Sequence, residues 1–120
     1  MASWQVGEAE IISCRLDVDG VEVTTGTVNV YLFIENGGTE WVDGAETGLT
    51  ATRTALSCTY DADVGWKKDF TPFLALDSEN VSWEMHHDTY GFIASGSALV
   101  GIFDGGSGGS SSQVDVKLQG

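Results

Sequence analysis

The clearest regular pattern in the chain is an alternation of apolar and polar residues over positions 10–18, EIISCRLDV. A period of two is that of a β-strand, because successive side chains of a strand point to opposite faces of a sheet. The Asp19-Gly20 pair that follows predicts a two-residue hairpin turn, with Val18 opposite Val21. One face of this hairpin is predicted to be buried. Its apolar residues on the first strand are Ile12, Cys14, Leu16 and Val18.

The segment 28–34, VNVYLFI, has apolar residues on both of its faces. Tyr31 and Phe33 form the second of these faces, and a strand that is apolar on both faces needs cover on both. A single domain of this size has one core, so we expect the second cover to come from a neighbouring subunit. Trp41 adds an aromatic side chain from a long polar loop predicted over 35–48. The predicted subunit interface consists of Val28, Val30, Tyr31, Leu32, Phe33, Ile34 and Trp41.

Residues 59–70 read TYDADVGWKKDF and follow a threonine-rich segment that is predicted to be a strand. Either of the first two aspartates is a suitable helix N-cap. Trp66 and Phe70 are one helical turn apart, and the proline two residues after Phe70 disfavours any further helix. The pattern therefore predicts one short helix near residues 63–71.

Three further segments, at 80–87, 90–103 and 113–118, are predicted strands, and a Gly/Ser run at 104–112 separates the last two. Sixteen glycines, a single proline and abundant valine and threonine favour an all-β domain. A chain of 120 residues can bury roughly two-thirds of the surface that it exposes when unfolded. We therefore predict one β-sandwich domain over residues 1–120, with one short flanking helix.

Eighteen acidic residues against five basic ones give a formal net charge of −13. This balance disfavours any surface that grips nucleic-acid phosphates, and solubility or adaptation to a high-salt host explains it. No apolar run reaches the roughly 20 residues of a membrane span. The N-terminal residues lack the basic start and apolar core of a secretion signal. We expect a protein that is made in a cytoplasm and has no membrane partner.

The side chains that could carry chemistry are few. Cys14 and Cys58 lie beside apolar residues of predicted strands, which favours buried free thiols over a disulfide. The segments DVDGVE and DADVG hint at calcium, but neither has the spacing of an EF-hand. Strand alternation places Glu84, His86 and Asp88 on one face as a possible metal-ligand trio, although a solvated strand face is favoured. No motif sets a nucleophile beside a base, so we predict a non-enzyme without a cofactor.

Two longer stretches, VYLFIENGGTEW at 30–41 and LTATRTALSCTYDADVGWKKDFTPFLALDSENVSWEM at 49–85, carry a resemblance to a known family. In their order they resemble the major tail tube proteins of long-tailed bacterial viruses and gene transfer agents. In that family, a strand ending in threonine and aspartates runs into a Gly-Trp-basic segment, a short helix and another strand. The resemblance covers roughly residues 28–85, and the short C-terminal third departs from it with HHD and a Gly/Ser run. The matching residues are Thr59, Asp61, Asp63, Gly65, Trp66 and Lys67, with Val81, Ser82 and Trp83 on the following strand.

The resemblance implies a β-sandwich that assembles as hexameric rings, which stack into a tube with other tail proteins of the virion. It also implies that double-stranded DNA passes through the tube without tight binding. An acidic lumen suits this role because it repels phosphate, so that DNA slides. The strand at 28–34 would lie between subunits, and the loop at 36–48 would reach the next ring. The protein would be located in the virion after synthesis in the host cytoplasm.

Two other functions fit the same residues. A capsid decoration or minor virion protein would show the same β content and the same absence of catalytic motifs. A carbohydrate-binding β-sandwich could stack a sugar on Trp41, Trp66 or Trp83. The oligomeric state separates the three: hexamers or tubes indicate a tail protein, trimers a decoration protein, and monomers a binding module.

Overall fold

A computed structural model of the chain describes residues 2–34, 40–102 and 112–118. Within these ranges the chain is built from strands, and its one helical element is a single 3₁₀ turn at Leu74–Leu76. The all-β fold that the sequence predicts is confirmed. The strands are β1 (Ala2–Gln5), β2 (Glu10–Val18), β3 (Val21–Glu22), β4 (Val28–Ile34), β5 (Trp41–Val42), β6 (Leu49–Thr50), β7 (Leu56–Ser57), β8 (Thr59–Asp61), β9 (Gly65–Phe70), β10 (Asn80–His87), β11 (Gly91–Gly101) and β12 (Ser112–Leu118).

The strands form two sheets. The larger sheet has the order β1-β11-β10-β4-β5-β6, with β7 also paired to β4, and the smaller sheet has the order β12-β2-β9-β8, with β3 also paired to β2. Two of the pairings are parallel, β1 with β11 and β12 with β2, and the other pairings in the described ranges are antiparallel. Both parallel pairings join strands that are far apart in sequence.

One hydrophobic core lies between the two sheets, because each sheet turns its apolar face towards the other. Strand β10 shows the alternation most clearly, with every second residue buried from Val81 to His87. Burying an aliphatic or aromatic side chain of this kind stabilises the fold by roughly 1.5–3 kcal/mol. The largest fully buried apolar side chains are Trp4, Trp83, Phe70, Ile12, Leu16, Leu32, Leu76 and Met85.

The predicted hairpin at β2 and β3 is confirmed, including its register. Val18 lies opposite Val21, and the amide of Val23 donates a hydrogen bond of 2.7 Å to the carbonyl oxygen of Leu16. Asp19 and Gly20 both have positive φ, 53° and 82°. Left-handed conformations at both central residues are those of the turn whose twist matches two antiparallel strands.

The helix predicted near residues 63–71 is wrong. Residues 65–70 form β9, which pairs antiparallel with both β8 and β2. A spacing of four residues puts Trp66 and Phe70 on one face of a helix, but it puts them on one face of a strand equally well. Both rings are buried in the core, and strand pairing on both sides of β9 satisfies its backbone groups, which a helix would have satisfied internally.

Strand β4 has the predicted bounds, and the segments after it are more regular than predicted. Trp41 lies in β5, opposite Phe33 of β4, so the predicted loop at 35–48 contains a strand. Residues 35–39 of that loop, and the Gly/Ser run before Ser112, lie outside the described residues. The threonine-rich segment forms three short strands, β6, β7 and β8.

Candidate functional site

The surface of the larger sheet that points away from the core carries four of the seven accessible aromatic side chains among the described residues; we call it the outer face. Strand β10 runs through its middle. Glu84 of β10 lies between Tyr31 of β4 and Ser95 of β11, and Ser82 lies between Phe33 and Ser97 in the same way. The side chains of the outer face include Tyr31, Phe33, Trp41, Arg53, Ser82, Glu84, His86, Phe92, Ser95, Ser97 and Leu99.

An aromatic cluster covers the β4 side of the outer face. The rings of Phe33 and Trp41 have centroids 5.0 Å apart at an angle of 53°. The guanidinium carbon of Arg53 lies 3.9 Å from the centroid of the Tyr31 ring and 5.7 Å from that of Trp41. At these distances the cation is attracted by the negative faces of the rings. Part of the cover over Tyr31 and Phe33 therefore comes from the chain itself.

The predicted interface residues thus fall into two groups. Val28, Val30, Leu32 and Ile34 are buried in the core of the chain, at most 3% exposed. Tyr31, Phe33 and Trp41 are partly buried on the outer face. In the folded chain only this second group is accessible to another molecule. The prediction that a neighbouring subunit covers β4 therefore depends on those three aromatic side chains.

A charged cluster adjoins the aromatic one. An Nη2 atom of Arg53 lies 2.5 Å from Oε1 of Glu84, and Nε2 of His86 lies 3.0 Å from the same oxygen. Nε2 of His86 is also 3.2 Å from the Arg53 nitrogen, so the imidazole tautomer decides whether this atom donates to Glu84 or accepts from Arg53. All three side chains are partly open to water, where such ion pairs contribute about 0–1 kcal/mol. Within this cluster the positive charge of Arg53 is balanced by the negative charge of Glu84.

The three residues considered as metal ligands do not form one cluster. Glu84 and His86 lie side by side on the outer face, whereas Asp88 lies beyond the end of β10. There its Oδ1 accepts a hydrogen bond of 3.0 Å from the amide of Thr27. The same oxygen is 3.2 Å from Nδ1 of the buried His87. Within residues 2–34, 40–102 and 112–118, no group of three or more His, Cys, Asp or Glu side chains is arranged to hold a metal ion.

A shallow groove of about 440 Å³ crosses β10 between the aromatic cluster and β11. Small side chains of β10 and β11 form its floor, and the ring of Phe92 is 57% exposed beside it. A β-bulge between Met85 and His86 puts Phe92 opposite His86, so that both rings point outward in edge contact with centroids 5.7 Å apart. The groove is lined by Phe33, Ser82, Trp83, Glu84, Phe92, Ser95, Gly96 and Ser97.

The segment on which the predicted family resemblance rests forms a corner between two strands, β8 and β9. The residues Thr59 and Asp61 lie on β8, Gly65, Trp66 and Lys67 lie on β9, and Asp63 lies in the turn that joins them. The carboxylate of Asp61 accepts a hydrogen bond of 2.7 Å from the amide of Asp63, which tightens this turn. None of these side chains lines the groove on the outer face.

Glycine is required at the start of β9. Gly65 has φ +88°, and a Cβ atom there would lie 2.6 Å from the carbonyl oxygen of Cys14 on β2. The absence of a side chain therefore lets β9 approach β2 and places the Trp66 ring in the core, where its Nε1 donates a 3.0 Å hydrogen bond to the carbonyl oxygen of Val23.

Of the three tryptophans considered as sugar platforms, only Trp41 is accessible. Trp66 is 5% exposed and Trp83 is 2% exposed. The Trp83 ring packs against Gly96, where an added Cβ would lie 2.5 Å from its Cζ2 atom. Reasoning from the sequence missed Phe92 and Arg53. The signal for Phe92 was the adjacent pair of apolar residues at 92 and 93, because two successive residues of a regular strand point to opposite faces. The pair does not tell which of the two points outward, and the bulge decides this.

The cysteines are free thiols, with Cys14 buried and Cys58 partly buried. Burial raises the pKa of the Cys58 thiol to about 12, and the positive charge of Lys68 opposes this shift only in part. A thiol that stays protonated near neutral pH is a poor nucleophile.

Comparison with known proteins identified no relative: no protein-family model, no curated protein and no solved structure matches the chain. Among the described residues, no helix is long and apolar enough to cross a membrane.

Proposed function

We propose that the protein is a non-catalytic structural subunit that assembles with copies of itself through the outer face. The observation that carries this proposal is the apolar surface which that face leaves open. Phe92 is 57% exposed and Leu99 is 37% exposed near opposite ends of β11, and the partly buried rings of Tyr31, Phe33 and Trp41 lie on the other side of β10. Several apolar side chains left accessible on one face of a sheet are typical of a surface that another protein covers.

The charges on and around the outer face suit such a contact at high ionic strength. Arg53 and Glu84 are already paired within the chain, so covering them would not leave one charge buried without its partner. The net charge of −13 opposes association through repulsion between subunits. At 1 M salt the screening length is roughly 3 Å, so repulsion between charges that are further apart is largely removed. Assembly is therefore expected to strengthen as salt increases.

We propose further that the assembly is the tube of a virion tail, made of stacked hexameric rings through which double-stranded DNA passes. This assignment is supported by the sequence pattern at residues 28–85 and by the acidic composition. The order of elements agrees in part with the family pattern, since the Gly-Trp-basic segment at Gly65 is followed by a single 3₁₀ turn at Leu74–Leu76 and then by β10.

The experiment measures mass by light scattering coupled to size exclusion, and shape by negative-stain microscopy, at high protein concentration and 1–2 M salt (about a 3 Å screening length). Replacing Tyr31 and Phe33 with lysine is expected to yield a folded monomer, because two charges cannot be desolvated in a packed interface. A second double variant, with serine instead of lysine at Tyr31 and Phe33, avoids placing a new cation beside Arg53. As a matched control, lysine at Val21 and Leu74 also replaces two exposed apolar residues, but away from the outer face.

Hexamers or tubes of the parent, lost in both outer-face variants and kept in the control, would support the proposal. Trimers would instead favour a capsid decoration or minor virion protein. A parent that stays monomeric at high concentration and high salt would refute self-assembly. So would outer-face variants that assemble as the parent does while circular dichroism shows them folded.

A second candidate function is the binding of an uncharged carbohydrate, which the groove favours. The rings of Phe33 and Phe92 flank a floor that carries the hydroxyl groups of Ser82, Ser95 and Ser97. Aromatic faces stack on sugar rings while hydroxyl groups bond to their polar edges. The test is binding of the monomer to a panel of neutral glycans. Phe92→Ala should weaken any binding at least tenfold, and equal binding by this variant would exclude the groove as the site.

A further inference from the structure

The last strand, β12, is the edge strand of the smaller sheet next to β2. It runs parallel to β2 and pairs with it over seven consecutive residues, from Ser112 opposite Ile12 to Leu118 opposite Val18. On its other side β2 pairs with β9 and β3. Among the described strands, β2 is the one hydrogen-bonded neighbour of β12. All of the main-chain pairing of β12 is therefore made with a single strand.

Strand β2 needs a partner at this edge. Ile12, Cys14 and Leu16 are fully buried in the core, so β2 is a central strand of the fold. An unpaired edge along such a strand would leave a row of backbone N–H and C=O groups without hydrogen bonds and would template pairing with another chain. The edge requires a strand, but it places no condition on which copy of the chain supplies that strand.

The sequence between the last residue of the larger sheet and β12 is unlike the rest of the chain. Nine residues separate Ile102 from Ser112, FDGGSGGSS, and seven of them are glycine or serine. A chain of this length spans at most roughly 33 Å, and Gly/Ser sequences impose little preferred direction on what they join. The same strand can therefore reach β2 of its own chain or β2 of an adjacent one.

We propose that, in the assembled protein, β12 of each subunit pairs with β2 of a neighbouring subunit. This inference rests on the self-assembly proposed above and names a second contact for it. Each copy donates one strand and receives one: two copies that exchange reciprocally form a two-fold dimer, whereas copies that each donate to the next make a head-to-tail contact. Contacts of this kind close into rings when the rotation between subunits allows it, and otherwise continue as filaments.

The two arrangements have the same hydrogen bonds, so concentration decides between them. A tether of only nine residues, rich in glycine and serine, holds β12 near its own β2 at an effective concentration in the millimolar range. A free monomer at micromolar concentration therefore keeps its own strand. In an assembly joined by the outer face, the neighbour's β2 is held at a comparable effective concentration and can compete. Exchange is thus expected in the assembled fraction and absent from the monomeric one.

The test uses a disulfide that can form only between chains. Asp17 of β2 lies opposite Lys117 of β12 in the register. Opposite residues on adjacent strands are about 4.8 Å apart, within the range of a disulfide. In a background with Cys14 and Cys58 replaced by alanine, one copy carries Asp17→Cys and a second, longer-tagged copy carries Lys117→Cys. The two are refolded together in high salt, oxidised and separated on a non-reducing gel.

A covalent heterodimer in the assembled fraction, and none in the monomeric fraction, is the expected result. Each variant oxidised alone controls for chance disulfides, and Asp17→Cys with Lys117→Cys in one chain checks the register. Assembly without heterodimer, while the single-chain pair still crosslinks, would overturn exchange and leave self-assembly standing. Failure to assemble at all would overturn both. Failure of the single-chain pair to crosslink would overturn the β2–β12 pairing on which exchange depends.

Discussion

Replacing Trp66 with alanine tests whether the corner at β8 and β9 anchors the core. The ring is 5% exposed and lies edge-on to Tyr60, with centroids 5.6 Å apart. Removing a buried tryptophan costs about 3–5 kcal/mol through lost burial and the remaining cavity. The variant also leaves the carbonyl oxygen of Val23 without its 3.0 Å hydrogen bond, and this loss accounts for about 1 kcal/mol of that cost. We expect the free energy of unfolding to fall by about 4 kcal/mol.

The assay is thermal and urea unfolding followed by far-ultraviolet circular dichroism. For a domain of 120 residues the entropy of unfolding is about 0.25 kcal/mol/K, so 4 kcal/mol lowers Tm by roughly 15 °C. Trp66→Phe keeps most of the ring and loses the hydrogen bond, so its Tm should fall by only about 4–8 °C. Trp41→Ala, on the partly open outer face, should cost less than the buried replacement. A Trp66→Ala variant that melts within about 2 °C of the parent would refute the placement of this ring in the core.

Two further predictions concern backbone geometry and thiol chemistry. Gly65→Ala should destabilise the protein by about 2 kcal/mol or more, because it adds a clash with the carbonyl oxygen of Cys14 to the strain of positive φ. In Gly20→Ala the added Cβ meets no atom within 4 Å, so this variant should cost only the strain, about 1 kcal/mol. Equal Tm values for the two variants would contradict this reasoning. Because the pKa of the Cys58 thiol is raised to about 12, its alkylation by iodoacetamide at pH 8 should be far slower than in the urea-unfolded chain. The raised pKa also means that stability is lost as pH rises from 9 towards 12, and equal alkylation rates at pH 8 in the two states would exclude the shift.

The local pattern of the sequence was sufficient to predict the elements that are determined by interactions between residues close together in the chain. The apolar run at 28–34, with apolar residues on both faces, predicted β4 with the bounds that the structure has. The Asp19-Gly20 pair predicted both a turn and its register, because few residues adopt positive φ at two successive positions. The all-β class followed from composition and from strands of this kind.

The corner at 59–70 shows where local pattern is ambiguous. The spacing of Trp66 and Phe70 fits one face of a helix and one face of a strand. Pairing with β2 decided between them, and β2 lies about fifty residues earlier in the chain. Hydrogen bonds between segments that distant contribute nothing to a local pattern, so the sequence could not show that β9 is a strand.

The outer face was likewise decided by tertiary structure. The sequence showed that β4 has two apolar faces and that one of them needs cover outside the core. It could not show that Arg53 lies over Tyr31, because the position of the segment that carries this arginine depends on the pairing of β6 with β5 before it and of β7 with β4 after it. Nor could it show that a bulge at Ile93 of β11 aligns Phe92 with His86. Which side chains meet on the outer face is set by the register between strands, and register depends on pairing across the whole sheet.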